Sequence, residues 1–228
     1  SGVEGQDVSK ILEDSLKRKK IENVTPKAVI NDTVGTLLAA AYSNTDVDMA
    51  AICGTGHNAC YLEPNHPLTG KPMIVNIESG NFNKVPQSRF DAKIDAASER
   101  PGLQKLEKMI SGYYLGEIIR VILEQMMKDG ILPESSEITK KDVIYGADID
   151  NIIADSADFG ATAKVMKDKL GLASMTRDQL FSVKEIVDLV SVRSARLVAA
   201  IFVGIVYHID QKIERKHVIA IDGSLYEK

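Results

Sequence analysis

The sequence predicts an α/β domain, in which a sheet of strands packs against helices. Short apolar runs, which are typical of buried strands, occur in the first third of the chain and once more near its end. Between them, apolar residues recur every three or four positions, as they do on the buried face of a helix. Strands, then helices, then a last strand that meets a glycine turn are the pattern of an α/β fold.

The first part of the chain is predicted to contain two helices and four strands. Val8, Ile11, Leu12 and Leu16 are at helical spacing with charges between them, so Gln6–Lys20 is predicted to be an amphipathic surface helix. The other predicted elements are a short strand at Lys27–Ile30, a buried helix at Thr33–Tyr42, and strands at Val47–Cys53, Ala59–Leu62 and Met73–Ile77.

The second part is predicted to be mainly helical. After the break at Pro101-Gly102, apolar residues recur from Leu106 to Met126, which predicts one long helix that ends near Gly130 and Pro133. The remaining predicted elements are short helices around Ile149 and Lys164, a second long helix at Val183–Lys212, and a strand at His217–Ile221 that ends at Asp222-Gly223-Ser224.

Composition restricts the function. With 228 residues, of which 44% are hydrophobic and 26% charged, the chain suits one domain or one lobe of a larger enzyme. The net charge of −4 and the lack of a basic stripe interleaved with aromatic residues argue against a nucleic-acid partner. Cys53 and Cys60 lie among small and apolar residues, which indicates free thiols in a reducing, cytoplasmic compartment. The four histidines are not at metal-ligand spacing, so we expect no metal site.

Neither a membrane span nor a targeting segment is expected. The apolar run Leu197–Ile209 is shorter than the roughly 20 residues that cross a bilayer, so it is predicted to be a buried helix. The N-terminal sequence SGVEGQDV has no basic region that leads into an apolar one, as a signal peptide would. It is more typical of the middle of a longer chain.

Three turns with acidic or glycine residues follow predicted strands: Asn31–Thr33, Gly54–Gly56 and Asp222–Ser224. Ligands of open α/β sheets bind beyond the carboxyl ends of strands, so these turns could meet at one site. Each is weakly specific alone. Gly-Thr-Gly has the spacing of neither the P-loop nor the dinucleotide fingerprint and also suits a plain hairpin turn. Asp32 also suits a cap for the helix predicted to begin at Thr33.

Five longer motifs resemble the large domain of the hexokinase and glucokinase family in order and spacing. They are INDTVGTLLAAAY, CGTGHNACYLE, IVNIESGNF, PGLQKLEKMISGYYLGEIIR and VIAIDGSLYE. The segment SGVEGQDV also resembles the one that follows the family's sugar-binding loop. The resemblance spans nearly the whole chain, is weakest from about Ser135 to Arg193, and extends to divergent fungal-type hexokinases and N-acetylglucosamine kinases. It implies the actin-like, ribonuclease-H-like fold of sugar kinases.

The resemblance implies that the function is ATP-dependent phosphorylation of a hexose at its 6-hydroxyl, with Mg²⁺ bound mainly through the ATP phosphates. Asp32 matches the family's general base, which accepts the proton of the attacking hydroxyl. The sugar-binding positions of the family match Asn31, Asn58, Glu78 and Glu107. From their sequence context alone, Glu78 also suits a solvated turn and Glu107, beside Lys105 and Lys108, a surface helix charge.

The nucleotide-binding positions of the family match glycine turns of this chain. The resemblance places Gly54, Thr55 and Gly56 at a hairpin that contacts phosphate, where backbone N–H groups and one hydroxyl donate to phosphate oxygens. It further places the following residues near the adenosine or the rest of the nucleotide: Gly112, Gly223 and Ser224.

Three residues depart from the family pattern close to its sugar contacts. Ser79 stands where a tryptophan is usual, Arg100 replaces an asparagine, and Leu103 replaces a glutamine. These changes favour a remodelled sugar pocket, for example for an N-acetylated hexose, and they keep open a catalytically silent sugar sensor. The family's small domain and extreme C-terminus are expected to lie outside residues 1–228, and the sequence leaves both the hexose and the oligomeric state undecided.

Overall fold

The fold is built on a four-stranded mixed sheet with helices on both faces, in a computed structural model that describes residues 3–225. The strands lie in the order β3-β2-β1-β4. Neighbours pair antiparallel in β1–β2 and β2–β3 and parallel in β1–β4. The strands are β1 (Val47–Cys53), β2 (His57–Glu63), β3 (Met73–Asn76) and β4 (Val218–Asp222).

The helices of the described residues, in chain order, are α1 (Val8–Arg18), α2 (Asp32–Ser43), α3 (Arg89–Ala96), α4 (Glu107–Ile110), α5 (Gly112–Lys128), α6 (Gly146–Ile153), α7 (Gly160–Leu170) and α8 (Arg177–Ile209). Several begin where the sequence supplies a cap. Ser88 with Asp91 and Thr176 with Gln179 form capping boxes that satisfy the first N–H groups of α3 and α8. Single-turn 3₁₀ helices cover Ser79–Asn81 and Ser136–Thr139.

The two faces of the sheet bury different clusters, because side chains alternate along each strand. On one face, Leu37 of α2 packs against Ala50 and Cys60. On the other, Phe202 and Ile205 from the C-terminal half of α8 pack against residues of β1 and β2. The largest core is helical and joins α5, α6 and α7 to the N-terminal half of α8 through residues such as Ile119, Leu123, Ile152, Met166 and Val187. Helix α8 therefore links the sheet to the helical layer.

Most predicted elements are confirmed, including β1 over all of Val47–Cys53. The predicted strand at Lys27–Ile30 is wrong, because a strand is defined by a hydrogen-bonded neighbour and none of the described strands pairs with this segment. Val29 and Ile30 are instead exposed. Helix α2 is buried on one face only, since Thr33 and Leu37 are inaccessible while Tyr42 is 96% exposed.

The long helix predicted from Leu106 onward is divided in two. Ser111 adopts an extended conformation between α4 and α5, and the N–H of Gly112 donates to the carbonyl of Gly54 at 2.8 Å. An N–H used in this way is not available to the carbonyl four residues earlier, so the helix stops and restarts. The break therefore allows Gly112 to contact the turn after β1, and helical periodicity in the sequence does not reveal this contact.

The burial predicted for Leu197–Ile209 is wrong for one side of the helix. Phe202 and Ile205 face the sheet and are buried, whereas Val203 and Tyr207 are more than half exposed. The run is apolar all round, but the described residues cover one side only. Helix α8, with 33 residues, is long and apolar enough to cross a membrane by length and composition, which for a single helix is weak evidence.

Candidate functional site

The N-terminus of α2 presents an exposed carboxylate. Asn31 is the N-cap, because its Oδ1 accepts the backbone N–H of Thr33 at 2.9 Å, and Asp32 is the first helical residue. The interpretation of Asp32 as the cap is therefore wrong. The Asp32 side chain, which also accepts the Thr33 N–H, lies exposed at this end of the helix, where the partial positive charge of the helix stabilises an anion.

A chain of polar side chains runs from this turn across the sheet; we call it the amide chain, and its members are Asn31, Thr33, Asn58, Asn76 and Glu78. The Thr33 hydroxyl donates to Asn31 Oδ1 and accepts from Asn58 Nδ2 at 3.0 Å. Asn58 Nδ2 also donates to Asn76 Oδ1 at 2.7 Å, and Asn76 Nδ2 donates to Glu78 Oε1 at 2.8 Å. The turn before α2 is thus connected to Glu78.

Asn58, a predicted sugar contact, has its hydrogen-bonding groups occupied by the protein. Its Nδ2 serves Thr33 and Asn76, and its Oδ1 accepts the N–H groups of Ala59 at 2.7 Å and Ser79 at 3.3 Å. An asparagine side chain offers two donors and two acceptor positions, so all four are used. Asn76 was missed in the sequence because its role depends on the register that places it beside Asn58.

Glu78 lies two residues beyond the end of β3 in a left-handed conformation, with a φ of 49°. Such a φ is uncommon for a residue other than glycine, and it turns the chain from the strand into the 3₁₀ helix that follows. The side chain is exposed. One oxygen accepts from Asn76, while the other has no hydrogen-bond partner among residues 3–225 and is open to a ligand.

Glu107 is held against two glycine segments and is not the surface charge that its neighbours suggest. Its Oε2 accepts the N–H of His57 at 3.1 Å. A methyl group at Gly56 would lie 3.0 Å from that oxygen, and one at Gly80 would lie 3.1 Å from Glu107 Cβ. The absence of side chains at these two positions allows the carboxylate to lie beside the turn after β1.

Lys108, which follows Glu107, is buried and is paired within the protein. It is 3% exposed and donates to Asp95 at 2.6 Å and to the carbonyl of Arg100 at 2.7 Å. Asp95 also accepts the N–H of Gly102 at 3.0 Å. Burial raises the pKa of Asp95, but the hydrogen bonds and charge of its partners outweigh it and the pKa is lowered. This network ties the Pro101-Gly102 loop to α4.

The predicted phosphate turn, Gly54–Gly56, connects β1 to β2 and is packed against the three other predicted nucleotide positions. Gly112 N–H donates to Gly54, and a methyl group at Gly112 would lie 3.0 Å from the same carbonyl. Gly223 has a φ of 121°, and a methyl group there would lie 2.5 Å from the carbonyl of Cys53. Ser224 N lies 3.6 Å from where a Gly54 Cβ would be. The glycines at positions 112 and 223 permit this approach of three backbone segments, whereas a Cβ at Gly54 would meet only ordinary contacts.

An apolar cavity of about 510 Å³ opens beside these turns. Gly112, Leu115, Ile149, Phe202 and Leu225 contribute to its walls. It lies between α6 and α8, so the helical layer provides one side and the ends of β1 and β4 the other. A cavity of this size and polarity suits a planar aromatic ligand group.

His57 and Cys53 lie beneath the phosphate turn as an uncharged pair. The Cys53 thiol is 3.7 Å from His57 Nδ1. Burial raises the pKa of Cys53 to about 11. Burial also lowers the pKa of His57 to about 4, although a hydrogen bond with the Ile52 backbone has a smaller effect in the opposite direction. His57 Nε2 is buried with no hydrogen-bond partner among the described residues. Both cysteines are free and buried, as predicted.

The three departures from the family pattern lie in different environments. Ser79 is 6% exposed, and its hydroxyl has no partner in the described part of the chain. Arg100 contributes its carbonyl to Lys108, and its side chain borders a polar cavity that also adjoins Gln104. Leu103 is 56% exposed. No group of three or more His, Cys, Asp or Glu side chains within residues 3–225 is placed to hold a metal ion.

Comparison with known proteins identifies the family. The sequence model of the hexokinase family matches residues 48–228, and a second model, also described as hexokinase, matches residues 1–42. This chain belongs to the hexokinase family. The hexokinase of Toxoplasma gondii is 37% identical over 99% of the chain, and human hexokinase-3 is 35% identical over all of it. The chain spans 48% and 26% of the lengths of these two hexokinases.

Solved hexokinase structures confirm the predicted sugar-kinase fold. The structure described as hexokinase from Schistosoma mansoni complexed with glucose has a TM-score of 0.87 and 29% sequence identity; the match covers all of this chain and 54% of that one. A second hexokinase crystal structure has a TM-score of 0.84 and 30% identity, covering 97% of this chain and 50% of that one. Residues 3–225 thus have the α/β fold of hexokinases.

Proposed function

We propose that the protein is a hexokinase-type enzyme that transfers the γ-phosphoryl group of ATP to the 6-hydroxyl of a hexose, with the present residues forming most of the large domain. The observation that carries the proposal is one contiguous site. Within residues 54–58, the N–H of His57 donates to the Glu107 carboxylate and the carbonyl of Gly54 accepts from Gly112, a predicted nucleotide position. Asn58 belongs to the amide chain, which connects the same segment to the turn that holds Asp32.

Asp32 is assigned as the general base. Its carboxylate is exposed at the N-terminus of α2, where one oxygen accepts the Thr33 N–H and the other has no hydrogen-bond partner among residues 3–225. A carboxylate there can orient the sugar hydroxyl and accept its proton as the oxygen bonds to phosphorus and the bond to the ADP oxygen breaks. Phosphoryl transfer depends mostly on such positioning and on charge stabilisation.

Glu78 and Glu107 are assigned to the sugar hydroxyls. Each uses one carboxylate oxygen within the described part of the protein, Glu78 for Asn76 and Glu107 for His57, so each retains an acceptor for a ligand. Hydrogen bonds from hydroxyls to carboxylates are charge-assisted and compete effectively with water. Asn31 retains its amide donors for the same ligand, since its Oδ1 is the acceptor that caps α2.

The glycine turns are assigned to the nucleotide. In the Gly54–Gly56 turn, whose Gly54 N–H donates to the Gly56 carbonyl, Thr55 and Gly56 would present their backbone N–H groups to phosphate oxygens, together with the exposed Thr55 hydroxyl. The apolar cavity beyond Gly112 fits the adenine. Gly223 and Ser224 border the same turn. ATP supplies the phosphoryl group, and Mg²⁺ held by its phosphates neutralises the charge that develops on transfer.

Replacement of Asp32 by Asn in the full-length protein tests the proposal. The change keeps the side-chain volume but removes the proton acceptor, so we expect kcat to fall by ~10²–10⁴ while the sugar KM changes much less. The melting temperature should change little, because Asn31 is the N-cap and loss of one exposed charge in the first turn costs only about 0.3–1 kcal/mol. Kinetics by coupled ADP release and thermal unfolding measure both quantities.

The matched control is Asp46→Asn, which removes one exposed carboxylate just after α2 and should leave turnover unchanged. An Asp32→Asn enzyme with wild-type kcat would end the assignment of the base. Glucose, fructose, mannose and N-acetylglucosamine are assayed in parallel, because Ser79, Arg100 and Leu103 favour a changed sugar preference. Sugar binding without turnover in the wild type would identify a sensor instead of a kinase.

A further inference from the structure

We propose that Asn76 is a positioning residue, which holds the Glu78 carboxylate in the orientation that receives a sugar hydroxyl. The proposal rests on the assignment of Glu78 to the sugar. Asn76 is the last residue of β3, and its Nδ2 donates to Glu78 Oε1 at 2.8 Å. Glu78 is exposed and lies in a turn with positive φ, so its flexible side chain needs such a partner to remain in one orientation.

The direction of every hydrogen bond in this part of the amide chain is fixed by the backbone. The N–H groups of Ala59 and Ser79 can only donate, so the group of Asn58 that faces them is its carbonyl oxygen. The Nδ2 of Asn58 must then face Asn76, which presents its own oxygen in return. The Nδ2 of Asn76 is therefore left for Glu78, and this amide can act only as a donor toward the carboxylate.

The sheet holds the two amides in place. Asn76 pairs with Cys60 in the β2–β3 ladder, and Asn58 is two residues away on β2, so the two side chains are diagonal neighbours on one face. Asn58 also pairs with Ile52 of β1. Both amides are thus mounted on paired strands, while Glu78 projects from the turn beyond the sheet. The paired strands fix the position of Asn76, and the hydrogen bond from Asn76 fixes the orientation of the Glu78 carboxylate.

The test variant is Asn76→Asp in the full-length protein. This change keeps the acceptor that Asn58 needs but replaces the donor toward Glu78 with an oxygen. At neutral pH two carboxylates would then face each other, and their repulsion should raise the pKa of Glu78 and weaken its contact with the sugar. We expect the glucose KM to rise about tenfold, as for loss of one charge-assisted hydrogen bond, while kcat at saturation stays within about twofold.

The pH dependence separates positioning from a general structural effect. As the pH falls, the introduced carboxylate and that of Glu78 bind a shared proton, which restores a donor between the two oxygens. Glucose affinity of Asn76→Asp should therefore recover toward the wild-type value between about pH 8 and pH 5, whereas that of Asn76→Ala should stay weak throughout. Isothermal titration calorimetry with glucose gives both curves, and Asn76→Ala still tests the proposal if the Asp variant fails to fold.

The matched control is Asn83→Asp, which adds the same charge at an exposed position a few residues away and should keep wild-type affinity. Wild-type glucose affinity and pH profile in Asn76→Asp would overturn the proposal. If the wild-type protein binds and phosphorylates no sugar, the proposed function has failed by itself. An NMR titration of Glu78 then decides the positioning role: a raised pKa in Asn76→Asp supports it, and an unchanged pKa overturns it.

Discussion

At the scale of single residues, His57, which is buried beneath the phosphate turn, makes the stability of the fold depend on pH. Because burial lowers its pKa to about 4, from the usual 6.5, the folded protein binds a proton at this ring less readily than the unfolded chain does. Stability therefore declines as the pH falls from about 6.5 toward 4, where the folded form is protonated as well. His57 is neutral at pH 7 and contributes no penalty there.

His57→Gln is predicted to remove this part of the pH dependence. A glutamine stays uncharged, so between pH 7 and pH 4 the wild type should lose up to about 3 kcal/mol more unfolding free energy than the variant. Urea unfolding at several pH values measures the difference. His66, which is partly exposed and lies in the loop after β2, offers the control His66→Gln. Parallel pH profiles for the wild type and His57→Gln would contradict the buried, neutral histidine.

At the scale of elements, two glycines inside helices have opposite surroundings. A methyl group at Gly116 of α5 would lie 2.1 Å from the carbonyl oxygen of Ile144, whereas one at Gly204 of α8 would meet nothing within 4 Å. Gly116 therefore allows the backbone before α6 to pack directly on α5. Gly204 has no such role within the described residues and only weakens the helix.

Alanine substitutions at these positions are predicted to have effects of opposite sign. Gly116→Ala should destabilise the protein by about 1–3 kcal/mol or more, because backbone must move to admit the methyl group. Gly204→Ala should stabilise it by about 0.5–1 kcal/mol, since alanine is the better helix former. Chemical denaturation of both variants gives the two values, and equal effects would show that the approach of Ile144 to α5 is not specific.

The sequence predicted elements and turns better than their contacts. Val47–Cys53 is found as predicted because a short apolar run between polar residues carries the strand signal locally. The break at Ser111 depends on the carbonyl of Gly54, and the role of Asn76 depends on the register of β2 and β3. Such long-range pairings leave no periodic trace in the chain. The motifs therefore located the candidate site, while its supporting hydrogen bonds required the structure.

At the scale of the whole molecule, hydrogen-bond contacts of His217 join the beginnings of β1 and β4 to the end of α8. His217 Nδ1 lies 2.7 Å from Asp48 Oδ2, and its Nε2 lies 3.3 Å from Asp210 Oδ2. Asp48 is 5% exposed. The contacts of one imidazole thus connect two strands and the helix that covers them.

His217→Gln is predicted to destabilise the fold by about 1–3 kcal/mol, because the contacts of the ring with Asp48 and Asp210 are lost, while Arg215, 3.6 Å from Asp48, still compensates part of its charge. His208→Gln is the matched control. That histidine pairs with Glu63 at 2.8 Å but has a side chain that is 60% exposed, so its loss should cost less than about 1 kcal/mol. Thermal and urea unfolding measure both, and equal costs would contradict the importance of burial at His217.

The parallel pairing of β1 with β4 also determines how the chain assembles. Asp48 and His217, which meet at the start of this pair, are separated by 169 positions, whereas β1, β2 and β3 follow one another closely. Closing so long a loop costs conformational entropy, and this cost comes before the contact can stabilise the fold. The three-stranded hairpin unit can form from local contacts, but β4 can join only after the helical residues between have compacted. Until then β1 is an edge strand, with its hydrogen-bonding groups exposed to other chains.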